Sequence, residues 1–203
     1  MTNREELTWK IWESEGMGRA LLIGGLIAYI PLVNLLLLGY YGRWVSRLVR
    51  QEGMALPEWS EGRPLFEELA RVILPALVWI FVPVMIAGLL SWSLFGIFDF
   101  MHLGFFGPTL SLLPLALVAV LSPPAMALAL VRLYRTDAVR ESLEVARILR
   151  EVIRRLRSCL FPLFQFYGIL ALGWPLAGFA GFLASLPLLA QLVLIFREPG
   201  PET

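Results

Sequence analysis

Residues 72–131 read VILPALVWIFVPVMIAGLLSWSLFGIFDFMHLGFFGPTLSLLPLALVAVLSPPAMALALV, and their only ionisable side chains are Asp99 and His102. A helix needs roughly 20 apolar residues to cross the hydrocarbon core of a bilayer. The run therefore predicts two spans, near 72–95 and 108–131, joined by a turn from Gly96 to Pro108 that is rich in glycine and aromatics, as a membrane-interface turn should be. Pro75, Pro83, Pro114, Pro123 and Pro124 lie in or at the ends of these spans and predict irregular helices, above all at Pro83 and Pro114.

The whole chain agrees with this beginning. Of its 203 residues 58% are hydrophobic and 16% charged, and the mean hydropathy is +0.73. A soluble domain carries about 45–50% apolar and about 25% charged residues, so lipid is the expected solvent. An aliphatic and aromatic content this high excludes a disordered chain, and a formal charge of +1 excludes a nucleic-acid binder. One cysteine, Cys159, cannot close an internal disulfide, and with the single histidine it cannot complete a zinc site. No cofactor or metal is expected, and a lone histidine also argues against haem.

Working outward, residues 132–158 carry eight arginines among four carboxylates. Val139, Leu143, Ala146, Leu149, Ile153 and Leu156 step by three or four, which predicts an amphipathic helix lying along the bilayer surface. Residues 159–196 are uncharged, too long for one span and enough for a helical hairpin turning at Gly173-Trp174-Pro175. Upstream, Arg43, Arg47 and Arg50 alternate with Trp44, Val45, Leu48 and Val49, which predicts another surface helix. A turn-rich link follows, then a short amphipathic start at Pro64. Residues 20–42 are uncharged and long enough for one span, yet Pro31 near their middle allows a shallow hairpin with arms of about 11 residues, too short to cross. Residues 1–19 mix charge with Trp9 and Trp12, as an interfacial helix would, and lack the order of a secretory signal.

Counting arginine and lysine assigns sides, because positive residues stay cytoplasmic. The turn at 96–107 has none, whereas 43–71 and 132–157 have many. The hairpin reading of 20–42 keeps every charged cluster on one face and is favoured. The expectation is an all-α, multi-pass protein of the cell membrane, one membrane domain over 1–203, with both termini cytoplasmic: about four full spans, a shallow N-terminal hairpin and amphipathic helices on the cytoplasmic surface.

Gly24-Gly25-Leu-Ile-Ala-Tyr-Ile30-Pro31, then Leu38-Gly39-Tyr40 before an arginine-rich helix, then Leu56-Pro57-Glu58-Trp59, resembles the prokaryotic membrane-protein family catalogued as domain of unknown function 4013. Ser122-Pro123-Pro124 before the second arginine-rich helix fits the same order, while Ala190-Gln191-Leu192 departs from it. The resemblance implies a polytopic membrane protein and no known activity.

Candidate chemistry is sparse. Asp99 and His102, three apart, form either a proton or ion site or, more simply, a solvated outer loop. Asn34 and Gln191 serve as helix glue, worth on the order of 1 kcal/mol, or line a path. Gly24, Gly25, Gly39, Gly168, Gly173, Gly178 and Gly181 are close-packing points. No nucleophile has an evident base, so an enzyme is not expected. Arg43, Trp44, Arg47, Arg50, Arg147, Arg150, Arg154 and Arg155 are the residues expected to touch lipid or a partner, each arginine worth about 1 kcal/mol beside an anionic leaflet. The favoured function is a non-enzymatic structural or scaffold subunit that organises lipid or partner proteins at the cytoplasmic leaflet. The alternative is a small transporter or channel subunit, which requires Asn34, Gln191 and the Asp99 and His102 pair to share a water-filled cavity. Expected partners are membrane lipids with anionic headgroups, other membrane proteins or a second copy, and no nucleic acid.

Overall fold

The computed structural model describes residues 11–13, 16–30, 33–53, 55–60, 62–102, 104 and 106–197. Most of the expected 1–19 helix, and Pro31 at the proposed hairpin tip, lie outside the described residues. The described residues hold helices and no strand. They are α1 (Met17–Ile27), α2 (Leu35–Arg50), α3 (Gly62–Phe100), α4 (Phe106–Thr136), the short α5 (Val139–Ser142), α6 (Val145–Leu172) and α7 (Ala177–Arg197).

Residues 20–42 do not form one continuous span, because helix ends at Ile27 and resumes at Leu35. The arms hold 11 and 16 residues, about 16 and 24 Å at 1.5 Å per residue, and both fall short of a bilayer crossing of about 30 Å. Contacts along the arms fix their direction. Gly24 and Gly25 of α1 lie against Phe182 and Phe179 of α7, so these helices run antiparallel. Tyr41 and Leu48 of α2 meet Ser185 and Arg197 of α7, so α2 runs parallel to α7 and antiparallel to α1. With Ala119 facing Tyr167 and Arg132 facing Glu151, α4 and α6 are antiparallel too. The chain thus makes three hairpins, α1–α2, α3–α4 and α6–α7, whose turns share one end and whose arginine-rich segments share the other.

Among the described residues, three helices are long and apolar enough to cross a membrane: Gly62–Phe100, Phe106–Thr136 and Trp174–Arg197. The expected spans at 72–95 and 108–131 sit inside the first two, which are longer at both ends. The amphipathic start at Pro64 is the first turn of α3 rather than a separate surface piece. Irregularity falls where proline predicts it: Leu77–Phe81 is a π-helical turn just before Pro83, and the α-helix breaks at Leu112 before Pro114.

Two expectations are corrected. The arginine-rich stretch is not a self-contained surface helix over 139–158. After α5, α6 runs unbroken for 28 residues from Val145 into the apolar half of the hairpin, and turns where expected, at Gly173 to Leu176. Charge stops at Ser158 but nothing in Ser158-Cys159-Leu160 stops a helix, so the change of composition marks a change of solvent along one rod. Only the second half of α6 is uncharged, so three helices rather than four meet the length and composition of a span. Likewise Arg43–Arg50 is the end of α2, and its Trp44 is fully buried, with Tyr40 and Val45, in the core.

That core lies toward the arginine-rich end, where α2, α4 and α7 supply most of the buried residues. The distal halves of α3 and α4 touch little besides each other. Trp92, Phe100, Leu113 and Leu117 are exposed there, as are Phe164, Leu172 and Trp174 around the α6–α7 turn. Apolar exposure on this scale marks a surface made for lipid.

Candidate functional site

Arginines do two jobs at the basic end. Arg155 donates to the carbonyl of Ile195, and its guanidinium lies 5.9 Å from the ring centroid of Phe196. Arg135 donates to the carbonyl of Arg197, and Arg197 donates to the carbonyl of Leu48 at 3.3 Å. The last carbonyls of a helix have no intrahelical donor, so these arginines close the ends of α7 and α2 with charge of the favourable sign. Arg132, mostly buried, meets Glu151 at 3.2 Å and Glu144 at 3.6 Å, and Arg155 meets Glu151 at 3.5 Å. Tyr134 donates to Glu68 at 2.9 Å beside the Arg71–Asp137 pair at 3.6 Å. This set of residues joins α3, α4, α6 and α7.

A second group faces outward. Arg150, Arg154 and Arg157 are exposed, and make none of the ion pairs found among the described residues. Steps of four and three put them on one stripe of α6 that continues through Phe161 to Phe164. Phe161 and Phe164 are exposed as well, Phe164 at 81%, with Ile153 and Leu160 beside them. The stripe passes from three cations to lipid-facing rings within about 20 Å of one helix. Arg147 is exposed but shared between Glu141 at 3.7 Å and Glu144 at 3.4 Å. Arg50 is exposed, and Arg43 and Arg47 are half-buried. Of the residues expected to touch lipid or a partner, Trp44 therefore belongs to the core and Arg155 to a helix joint.

The polar groups expected to line a path lie in three places. Asn34 is exposed just before α2. Asp99 and His102 are exposed on the α3–α4 turn, where His102 has a φ of 55° and its Nδ1 lies 3.1 Å from the backbone carbonyl of Asp99 rather than from the carboxylate. Gln191 is 2% exposed and donates to Gln165 Oε1 at 2.9 Å, tying α7 to α6. Gln165 stood in plain view in the uncharged stretch. The midpoint between it and Gln191 falls near 178, beyond the turn at Gly173 to Leu176, so spacing alone does not pair the two. Among the expected close-packing glycines, a Cβ at Gly24, Gly25, Gly39, Gly173 or Gly178 would lie within 2.5 Å of a neighbour, whereas Gly168 has open space and Gly181 only ordinary contact.

Leu56-Pro57-Glu58-Trp59 has a packing role. The Trp59 ring stacks on Tyr40, centroids 4.3 Å apart and 13° between planes, with Phe182 6.3 Å away. Glu58 accepts from the Ser60 hydroxyl at 2.9 Å.

A feature the sequence did not foresee is a cavity of about 550 Å³ bordered by α2, α3, α4, α6 and α7. Val72, Met126, Leu130 and Leu188 line it deep in the protein, and Val84 and Tyr167 stand exposed at its rim. Four hydroxyls reach it, all engaged with protein: Tyr41 and Ser185 are bonded at 2.5 Å, Ser185 donates to the Phe182 carbonyl, Tyr167 donates to the Ala119 carbonyl at 2.7 Å, and Ser122 donates to the Trp79 carbonyl. None of Asn34, Asp99, His102 or Gln191 lines it. Among the described residues, no three His, Cys, Asp or Glu side chains gather to hold a metal.

A family model whose description is Protein of unknown function (DUF4013) matches residues 22–194, a span that takes in all three hairpins. No curated protein and no solved structure matches the chain.

Proposed function

The chain belongs to the DUF4013 family, and we propose that it is a non-enzymatic, multi-pass protein of the cell membrane that grips anionic lipid at the cytoplasmic leaflet and so organises lipid or partner proteins there. The observation that carries this is the α6 stripe: Arg150, Arg154 and Arg157, exposed and without ion pairs among the described residues, stand directly above the exposed rings of Phe161 and Phe164. An anionic phospholipid presents the complementary pattern, phosphate above hydrocarbon. Each such arginine contributes about 1 kcal/mol near an anionic leaflet. The tendency of arginine to stay inside supports reading this end of the three hairpins, and both termini with it, as cytoplasmic.

The test is reconstitution in phosphatidylcholine vesicles with spin-labelled phosphatidylglycerol or phosphatidylcholine as the reporter lipid. The wild-type protein should immobilise the anionic label several-fold more than the neutral one, and the preference should fall with added salt. It should be lost in an Arg150→Gln, Arg154→Gln, Arg157→Gln variant. Equal immobilisation of the two labels by the wild-type protein overturns the proposal.

A further inference from the structure

We propose that the cavity between the hairpins is a seat for one hydrocarbon chain of a membrane lipid. It rests on the membrane reading of the chain but not on the arginine stripe. The volume of about 550 Å³ falls within the range of about 300–1,000 Å³ typical of ligand sites. Its walls run along α3 from Val72 to Val84 and along α4 from Leu115 to Leu130, about 18 and 22 Å of helix, which is the shape of an extended chain rather than of a compact solute.

The chemistry of the wall selects the occupant. Water needs two to four polar partners to be held in a cavity, and a polar solute needs as many. The hydroxyls of Tyr41, Ser122, Tyr167 and Ser185 are already engaged by protein groups, and aliphatic and aromatic carbon makes up the remainder of the wall. A void of this size left empty would forfeit the dispersion contacts of its whole lining. The rim at Val84 and Tyr167 opens on parts of α3 and α6 whose neighbours, Met85 and Phe164, are exposed apolar residues that face the hydrocarbon of the bilayer. The filler at hand is an acyl chain. Proline marks both walls: Pro83 follows the π-helical turn of α3 at Leu77–Phe81, and Pro123 of α4 itself lines the cavity.

The experiment uses the full chain in phosphatidylcholine vesicles that contain a phosphatidylcholine with a diazirine on one acyl chain, photolysed and mapped by peptide mass spectrometry. Adducts are expected on the inner wall at Met126 and Leu188 as well as on the outward Leu89, Trp92 and Phe164. Val118→Trp should fill the cavity and cut the inner-wall adducts about tenfold, the loss of 1.4 kcal/mol of affinity, while the outward adducts are unchanged. Leu189→Trp, from a different helix, repeats the test should the first variant not fold. The triple arginine variant should keep the inner-wall adducts, so loss of lipid preference and loss of chain binding are separable. Adducts confined to the outward positions, or inner-wall adducts that survive filling, overturn the proposal.

Discussion

The hydroxyl of Tyr167 on α6 donates to the backbone carbonyl of Ala119 on α4 at 2.7 Å, and Ala119 is the residue whose α-helical donor would be the N–H that Pro123 lacks. Ser122 does the same for Trp79, whose donor would be Pro83. In hydrocarbon an unmet carbonyl has no water to turn to, so a proline within a span calls for a donor from another helix. Both donors come from residues that also line the cavity, so the contacts that serve the proline sites also border the space.

Tyr167→Phe should therefore destabilise the protein by about 1 kcal/mol in a detergent-titration unfolding experiment. In a Pro123→Ala background, the restored N–H can serve Ala119 and the same change should cost little. Equal costs in the two backgrounds would show that the hydroxyl does not serve the orphaned carbonyl.

Gly39→Ala should destabilise by about 1–3 kcal/mol, because its Cβ would fall 2.2 Å from the backbone oxygen of Leu65 and α2 would have to move off α3. Gly168→Ala should stabilise by up to about 1 kcal/mol, since the site is open and alanine is the better helix former. Thermal unfolding of the two purified variants measures both signs.

Removing Trp59 should loosen the α2–α3 link. Trp59→Ala takes away the ring stacked on Tyr40, at a cost of about 3 kcal/mol, and limited proteolysis should then cut within 51–60 at protease levels that leave the wild type intact. Trp59→Phe keeps an aromatic face there and should retain most of the protection.

Arg155→Ala and Arg154→Ala, one residue apart, should behave differently. Arg155 pairs with Glu151 on its own helix and joins α6 to the Ile195 carbonyl and the Phe196 ring of α7, so its loss should cost about 1–3 kcal/mol in detergent at any salt concentration. Arg154 is exposed and should be neutral in detergent, its effect appearing only as weaker anionic-lipid preference at low salt.

Much of the architecture can be read from the chain alone. The uncharged lengths of 20–42, 72–131 and 159–196 set the hairpins, Gly173-Trp174-Pro175 marks a turn, and Pro83 and Pro114 mark the irregular turns of α3 and α4. These follow from hydrophobic length and from backbone donors, which are properties of single segments. Less of the candidate site was legible. Arg154 and Arg155 are the same residue type in neighbouring positions, and only the placement of α7 beside α6 turns one into a helix clamp and leaves the other facing outward. Trp44 has the spacing of a surface anchor, and the packing of α2 puts it at 0% exposure.

Membrane character, hairpin order and the common end of the arginines therefore follow from composition and periodicity, because solvent acts on each segment separately. The continuity of α6 across the change from charge to hydrocarbon, the pairing of Gln165 with Gln191, the hydroxyls that serve the prolines and the cavity they border depend on which helix lies beside which. That is decided by close approach at residues such as Gly39 and Gly24 and by side chains that meet from distant parts of the chain, as Tyr29 and Phe179 do, and no local pattern in the sequence encodes it.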